Sequence, residues 1–204
     1  MFGMLILLLA CQEDEETYRA RMMREYADRV SKQRIEIEKN AKSVIKKREE
    51  RNAKGDTVAL ASQTLQDFLP KESQAYTQNG VPINAPSHMN GNAFATVEQT
   101  YTAGNKNIRL TIRDSNKGVS AHAGIGKSWL KKNPINNKKV KAGYVLLAKK
   151  FNAWEYFEKK NRRAGLSIEV SDRIFIEFIG TEQTDTEALK ALAKQIDLQK
   201  LATY

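Results

Sequence analysis

The spacing of hydrophobic and polar positions changes along the chain, and the first long stretch has the character of a helix. Residues 14–54 hold no Pro or Gly and are rich in Arg, Lys, Glu, Met and Ala, which favour helix. Met23, Val30, Ile37 and Val44 recur every seven residues, as the a positions of a heptad do, but only the first matching d position is apolar. The pattern therefore predicts a solvated helical spacer of roughly 60 Å in preference to a stable coiled coil.

The next stretch predicts a transition from helix to sheet. A short helix is expected from Val58 to Leu69, because its apolar residues share one side and Pro70 would end it. Residues 71–90 are rich in Pro, Asn and Ser and predict a loop, with Ala75-Tyr76 entering a first strand.

The second half of the chain alternates in the manner of strands. Residues 93–101 and 108–113 predict a hairpin around Gly104-Asn105, with one buried face and one wet, basic face. The apolar run Ile174-Phe175-Ile176 predicts a central strand. Further elements are expected in this order: a helix over 121–131, strands over 143–149 and around Trp154, Tyr156 and Phe157, a hairpin over 166–179 around Ser171-Asp172, and a last helix capped by Thr184 or Asp185.

These elements predict an α+β fold: a curved antiparallel sheet with packed helices, preceded by a long N-terminal helix. Strands joined by short turns make a parallel, doubly wound sheet improbable. The expected organisation is a signal segment over 1–11, an acidic tether and helical spacer over 12–55, and an α+β globular domain over 56–204.

The first residues form an apolar run, Leu5 to Ala10, that is far shorter than the ~20 apolar residues a membrane span needs. The run ends Leu8-Leu9-Ala10-Cys11, which resembles the lipobox of bacterial lipoproteins. The resemblance implies that the Cys11 thiol carries a diacylglycerol, that the bond before it is cleaved, and that the new amino terminus is often acylated, for example with palmitate. Two or three acyl chains anchor a protein firmly where one is marginal.

Two neighbouring features bear on this resemblance. An export signal usually begins with Lys or Arg, but Met1 to Met4 include neither. This departure is expected if the true start lies upstream or if the gene model is clipped. The acids Glu13 to Glu16 follow Cys11 almost at once, so packing of residues 1–11 inside the fold is disfavoured. In some Gram-negative bacteria such a cluster directs a lipoprotein to the outside of the outer membrane, but a flexible, solvated tether explains the acids equally well.

A second resemblance covers roughly residues 58–202. It rests on four segments: Leu65 to Pro70, Val97 to Asp114, Asp172 to Ile176, and Asp185 to Leu201. In these segments the chain resembles a group of small envelope lipoproteins of Gram-negative bacteria to which no activity is attached. The two resemblances imply a location in the cell envelope, with the lipid anchor in the outer membrane.

The net charge of +10 changes the list of expected partners. Residues 17–54 and residues 55–204 each carry a net charge of +7, and the acids before them subtract 4. The positive charge is therefore spread along the sequence and does not form one nucleic-acid-binding run. In an envelope it would favour anionic lipid, lipopolysaccharide phosphate or acidic glycans.

No residues form a catalytic or metal-binding pattern, so we expect neither an enzyme nor a cofactor. The single cysteine, Cys11, permits no disulfide framework, and His88 and His122 lack partners at metal-ligand spacing. A hydrolase could use paired carboxylates, but charges on the wet face of a sheet explain the acidic residues more simply. These are Glu155, Glu158, Glu169 and Glu177.

Aromatic residues interleaved with lysines suggest one binding surface for a glycan or a lipid headgroup, although core packing would explain at least half of the aromatics equally well. The candidate surface comprises Tyr144, Lys149, Lys150, Trp154, Tyr156, Lys159 and Lys160. The functional expectation is a membrane-anchored envelope lipoprotein with a non-enzymatic binding or structural role. The alternative is a soluble, basic nucleic-acid-binding protein.

Overall fold

A computed structural model describes residues 15–71, 75–84, 87–89, 92–116 and 132–204. Cys11 and the helix expected over 121–131 lie outside these residues. The helices are α1 (Glu15–Ala53), α2 (Ser62–Gln66), α3 (Glu187–Ala193) and α4 (Leu198–Leu201). The strands are β1 (Thr77–Asn84), β2 (Ser87–Met89), β3 (Asn92–Ala103), β4 (Lys106–Asp114), β5 (Ile135–Asn136), β6 (Val140–Leu147), β7 (Phe151–Glu158), β8 (Arg163–Glu169) and β9 (Ile174–Thr181).

Eight strands form one open antiparallel sheet in the order β1-β3-β4-β9-β8-β7-β6-β5, and β2 pairs with β3 beside it. The α+β class with an antiparallel sheet and packed helices is confirmed. The hairpin predicted around Gly104 is present, with Ala103 opposite Lys106. The prediction of a central strand is confirmed as well, because β9 lies between β4 and β8.

The core lies on one face of this sheet. Along β4 the side chains of Ile108, Leu110 and Ile112 are fully buried, whereas the intervening residues point to the opposite face. Apolar side chains of the three short helices cover this face, and each buried Leu or Ile contributes roughly 1.5–3 kcal/mol. These helical residues are Leu65, Leu189, Leu192, Leu198 and Leu201.

Tyr101 is a fully buried tyrosine of the core, and its burial makes stability depend on pH. Its hydroxyl donates a hydrogen bond of 2.7 Å to the carbonyl oxygen of Pro70, and its side chain is 0% exposed. Burial raises the pKa of Tyr101 to about 12, although a hydrogen bond with Gln78 acts against this.

The raised pKa of Tyr101 predicts a loss of stability in alkaline solution. Because the folded-state pKa lies above the value of 10.0 expected for an accessible tyrosine, the stabilisation is complete below pH 10 and is lost as the pH rises towards 12. Within that window the free energy of unfolding should fall by about 1.4 kcal/mol per pH unit. Absorbance titration of the phenolates should show a group that titrates near pH 12 and is absent in Tyr101→Phe. Its persistence in that variant would contradict the assignment.

The first helix of the domain is shorter than the sequence predicts. The expected helix from Val58 to Leu69 contains only α2 and a following turn. The reason is a hydrogen bond of 2.8 Å from the amide of Leu60 to Asp114 Oδ2, which takes the backbone before α2 out of helical bonding.

The prediction of a loop over residues 71–90 is wrong, because β1 and β2 lie within it. The strand β1 was not predicted because its sequence is polar and contains a proline. Proline is tolerated there because β1 lies at the edge of the sheet. The register shifts between Asn79 and Ile83, so Gly80 and Pro82 lie in a bulge. Gly80 has a φ of +73°, which favours glycine.

Two other boundaries also differ from the prediction. The strand expected over 143–149 begins at Val140 and ends at Leu147, since Ala148 and Lys149 have positive φ values and form a turn. The single last helix is divided into α3 and α4. Asp197 accepts a hydrogen bond from the amide of Lys200 and begins α4 as its cap.

The helix α1 ends at a turn closed by glycine. Gly55 has a φ of +81°, and the amide of Asp56 donates to the carbonyl of Arg51 at 3.0 Å, as in a helix end of the Schellman type. Contacts group residues Asn40–Tyr204 into one compact unit, so the last turns of α1 belong with the sheet. In the other unit the side chains of Met23 and Tyr26 are 71% and 63% exposed.

Candidate binding face of the sheet

The face of the sheet opposite the core carries mostly polar, partly exposed side chains. The strand registers place the members of this face in adjoining rows across β3, β4, β9, β8, β7 and β6. We call it the polar face, and define it by Thr100, Thr102, Asn107, Arg109, Thr111, Glu177, Ile179, Arg163, Ser167, Trp154, Tyr156 and Tyr144.

Three of the aromatic residues singled out in the sequence lie together on the polar face. Tyr144 is directly opposite Trp154 across β6 and β7, and Tyr156 follows two residues along β7 on the same side. The Tyr144 hydroxyl donates to Asn152 Oδ1 at 3.0 Å, and the Nζ of Lys132 lies 5.4 Å from the centre of the Trp154 ring. All three rings are partly exposed, so they form a continuous apolar patch that a ligand can reach.

The ring of Tyr156 occupies the space beside Gly165 that a side chain at that position would fill. Gly165 is its partner on β8, and a Cβ atom built there would lie 2.1 Å from Tyr156 Cε1. Burial raises the pKa of Tyr156, while the positive charge of Arg163 and a hydrogen bond with it partly offset this effect. Arg163 therefore connects the aromatic patch to the polar residues beside it.

Replacement of Gly165 by Ala should displace the Tyr156 ring and destabilise the fold by about 1–3 kcal/mol, the usual cost of overpacking. Urea unfolding measures this change. The matched control is Gly143→Ala, because the nearest atom to a Cβ there is Pro134 Cβ at 3.9 Å, an ordinary contact. Tyr156→Ser should abolish the cost of Gly165→Ala. An equal cost in that background would show that the ring is not the obstacle.

A shallow groove of about 570 Å³ lies beside the aromatic patch, a volume within the range of small-molecule sites. Arg109, Arg163, Ile179 and Glu98 line it, and Arg109 Nε lies 3.9 Å from Glu98 Oε2. The remaining lining is made of hydroxyl and amide side chains: Asn79, Thr100, Thr102, Asn107 and Thr181. Two arginines and one glutamate among hydroxyl and amide groups leave one positive charge, which suits a polar ligand with negative charge.

The sequence did not predict this groove. Its only sequence signal was the alternation of polar residues along β3 and β4. Arg163 and Thr181 join it only through the pairing of β4 with β9 and of β9 with β8.

The four lysines of the expected binding surface are divided between opposite ends of β7. Lys149 and Lys150 belong to the turn before β7, and Lys159 and Lys160 to the turn after it. Eight residues of strand separate the two pairs by about 25 Å. The structure thus brings together the three aromatic residues, with Arg163 and Arg109 nearby, and leaves both lysine pairs at the ends of the sheet.

Glu155 lies apart from the other three carboxylates considered for a hydrolase, because the strand registers place Glu158, Glu169 and Glu177 on the polar face. Glu155 points to the core face, where the hydroxyl of Thr186 donates to it at 2.5 Å and Lys190 Nζ lies 3.3 Å away. Burial alone would lower the pKa of Lys190, but its bonds to Glu187 and Glu155 raise it above the usual value. These bonds of Glu155 therefore join α3 to the sheet.

The most deeply buried charges lie where β4 ends and β9 begins. Arg173 is 4% exposed and Asp114 is 0% exposed, and two parallel hydrogen bonds of 2.9 and 2.6 Å join them. Asp114 also accepts hydrogen bonds from the amides of Leu60 and Asn116. Burial alone would lower the pKa of Arg173, and the carboxylates around it raise it above the usual value.

This buried pair extends to the end of α1. Arg51 binds Asp172, and its Nε donates to Asn116 Oδ1 at 2.9 Å. Arg173 also donates to Asp56 Oδ2 at 3.1 Å and to the carbonyl oxygen of Tyr204 at 2.6 Å. Because each charge has partners of the opposite sign or polar bonds, the network fits a structural role that joins α1 to the sheet.

Comparison of the chain with protein-family models, with curated proteins and with solved structures gave no match. The resemblance to envelope lipoproteins thus stays a prediction from the sequence. The functional argument depends on the residues themselves.

Two further observations concern the residues that the structure describes. Within them, no His, Cys, Asp and Glu side chains are grouped so that three could hold a metal ion. None of the helices in that part of the chain is both long and apolar enough to cross a bilayer. Cys11 and His122 lie outside the described residues, and His88 belongs to β2.

Proposed function

We propose that the protein is a lipid-anchored component of the bacterial cell envelope with a non-enzymatic binding role. The observation that carries the proposal is the sequence Leu8-Leu9-Ala10-Cys11, followed by four acids and a charged helix. Acyl chains on Cys11 would anchor the chain, because each buried methylene contributes about 0.8 kcal/mol. The anchor belongs to the outer membrane in this proposal, with the acidic cluster as the signal or the tether that sets the final position.

The binding role is assigned to the polar face. The aromatic patch of Tyr144, Trp154 and Tyr156 offers ring surfaces, and the adjoining groove offers the guanidinium groups of Arg109 and Arg163. A ligand with apolar ring faces and negative charge, such as an acidic glycan, complements both parts. Glu155 is bonded to Thr186 and Lys190 on the core face and is thereby separated from the other carboxylates, which supports binding over hydrolysis.

The first part of α1 serves as a spacer in this proposal. Its basic side chains, including those of Arg19, Arg24 and Lys32, are exposed. The part of α1 outside the compact unit, residues 15–39, extends about 37 Å at 1.5 Å per residue. It would connect the domain to the lipid-attached Cys11.

The deciding experiment is the intact mass of the amino-terminal peptide, isolated from the native host. A peptide that begins at Cys11 and carries a diacylglycerol, with or without a third acyl chain, is the expected result. An unacylated peptide that retains the residues before Cys11 would overturn the proposal.

The exposed cations of α1 also favour the second candidate, a soluble nucleic-acid-binding protein. That function requires affinity for duplex DNA or RNA that falls steeply as the salt concentration rises. Absence of binding to a duplex at low salt would end the second candidate, whatever the mass measurement shows.

A further inference from the structure

The antiparallel pairing of β6 with β7 brings two basic runs of the sequence to the same end of the sheet. The first run lies in the turn between β5 and β6, and the second in the turn between β7 and β8. Val140 is paired with Glu158, so the two turns are neighbours although both strands separate them in the sequence. We call this surface the basic end, and define it by Lys138, Lys139, Lys141, Lys159, Lys160, Arg162 and Arg163.

Hydrogen bonds hold the two turns against each other. The side chain of Asn137 accepts from the amides of Lys139 and Val140, both at 2.8 Å, and so fixes the first turn. The amide of Lys159 donates to the carbonyl of Lys139 at 2.9 Å, and its Nζ donates to the carbonyl of Asn137 at 2.7 Å. The hydrogen bonds between the two turns therefore keep the cationic residues close together, whichever rotamers their side chains adopt.

The charge of the basic end is far from balanced. Its seven cationic residues are all exposed, and the carboxylates of these turns and of the adjoining end of β9 are Glu158 and Glu182. The local net charge is +5, which is half of the net charge of +10 carried by the whole chain. The even spread of charge along the sequence is thus not preserved in three dimensions. A fixed concentration of like charge is unfavourable by itself and attracts polyanions.

We infer that the basic end is a docking surface for an anionic lipid membrane. Its cationic side chains would bind the headgroup phosphates as an array of point charges. Five of its seven cations are lysines, which bind phosphate as point charges, and fluid headgroups can adjust to them. The two turns carry no aromatic side chain on which a base could stack, as single-stranded nucleic acid would require. The choice of lipid over other polyanions rests on the proposed anchor, which would keep the domain beside a membrane.

The test uses the full-length chain carrying Cys11→Ser, so that no acyl chain contributes to binding. The variant pair is Lys138→Gln with Lys160→Gln at the basic end. The matched control is Lys149→Gln with Lys150→Gln, which removes the same charge from exposed lysines at the opposite end of the same sheet. Co-sedimentation is measured with vesicles of phosphatidylcholine containing 30 mol% phosphatidylglycerol, and with vesicles of phosphatidylcholine alone.

Each cation near an anionic surface contributes about fivefold to partitioning, so the basic-end pair should weaken binding about 25-fold. The control pair should change it less than about threefold, because Lys149 and Lys150 would lie away from the lipid. Vesicles without phosphatidylglycerol should not bind. Circular dichroism of both variants should match that of the parent.

Equal losses in the two variant pairs, or no binding of the parent to the anionic vesicles, would overturn the inference. Tighter binding of the parent to a 20-base-pair duplex, weakened by the same basic-end pair, would assign the surface to nucleic acid and also overturn it. Because the assay contains no acyl chain, the inference can fail while the anchor proposal stands, and the mass of the amino-terminal peptide can fail while the docking surface stands.

Discussion

Replacement of Asp114 by Ala should remove much of the stability of the domain. The substitution leaves the guanidinium of Arg173 buried without the carboxylate that binds it through two hydrogen bonds. The amides of Leu60 and Asn116 lose their acceptor as well. Breaking a buried ion pair by removing one partner costs about 3–5 kcal/mol. A typical domain has only about 5–15 kcal/mol of stability in total.

Urea unfolding followed by circular dichroism measures this loss. The control is Glu182→Ala, which breaks the ion pair of 3.1 Å between Glu182 and Arg162, whose side chains are about half exposed. That surface pair should contribute less than about 1 kcal/mol. Asp114→Asn provides a milder variant if the Ala variant does not fold, because an amide oxygen can still accept one of the backbone bonds. Equal, small costs for Asp114→Ala and Glu182→Ala would show that the buried network is not what joins these segments.

Replacement of Cys11 by Ser should release the protein from the membrane fraction of its native host. The hydroxyl cannot form the thioether, and the apolar run from Leu5 to Ala10 is too short to span the bilayer on its own. In the proposed anchor, loss of two or three acyl chains would remove far more binding energy than the basic residues supply. Detergent phase partitioning and incorporation of labelled palmitate measure the result.

The matched control for this experiment is Gln12→Ser, which changes the neighbouring residue and retains the thiol. It should remain in the membrane fraction and incorporate the label. A Cys11→Ser protein that still partitions with the detergent phase would show that the anchor lies elsewhere. Residual, salt-sensitive association of Cys11→Ser with membranes is compatible with the basic end.

The strands that the sequence predicted correctly are those whose local pattern was strong. In β3 and β4 the alternation was regular and Gly104 marked the turn, so even the buried side of the hairpin was predictable. In β9 an apolar run on both faces indicated a central strand. The strand β1 lacked such a pattern, because at the edge of a sheet little of it needs to be apolar.

The features that the sequence did not predict depend on pairs of residues far apart in the chain. Arg51 meets Asp172 only because α1 and the turn before β9 come together, and the lysine pairs of the basic end meet through the register of β6 and β7. Each run of lysines alone has the composition of an ordinary solvated surface. The aromatic trio was predictable because all three residues belong to one hairpin with period-two spacing.

The open sheet has a strand at one edge, β1, that is not a long, regular strand. At one edge, the bulge with Gly80 and Pro82 interrupts β1, although Val81 and Ile83 there are 84% and 61% exposed. At the other edge, β5 has only two residues and pairs with Lys141 and Ala142 of β6. An interrupted edge strand such as β1 gives a second chain no continuous row of amides and carbonyls with which to extend the sheet. The β1 edge is therefore a poor template for β-aggregation, despite the two apolar side chains that project from it.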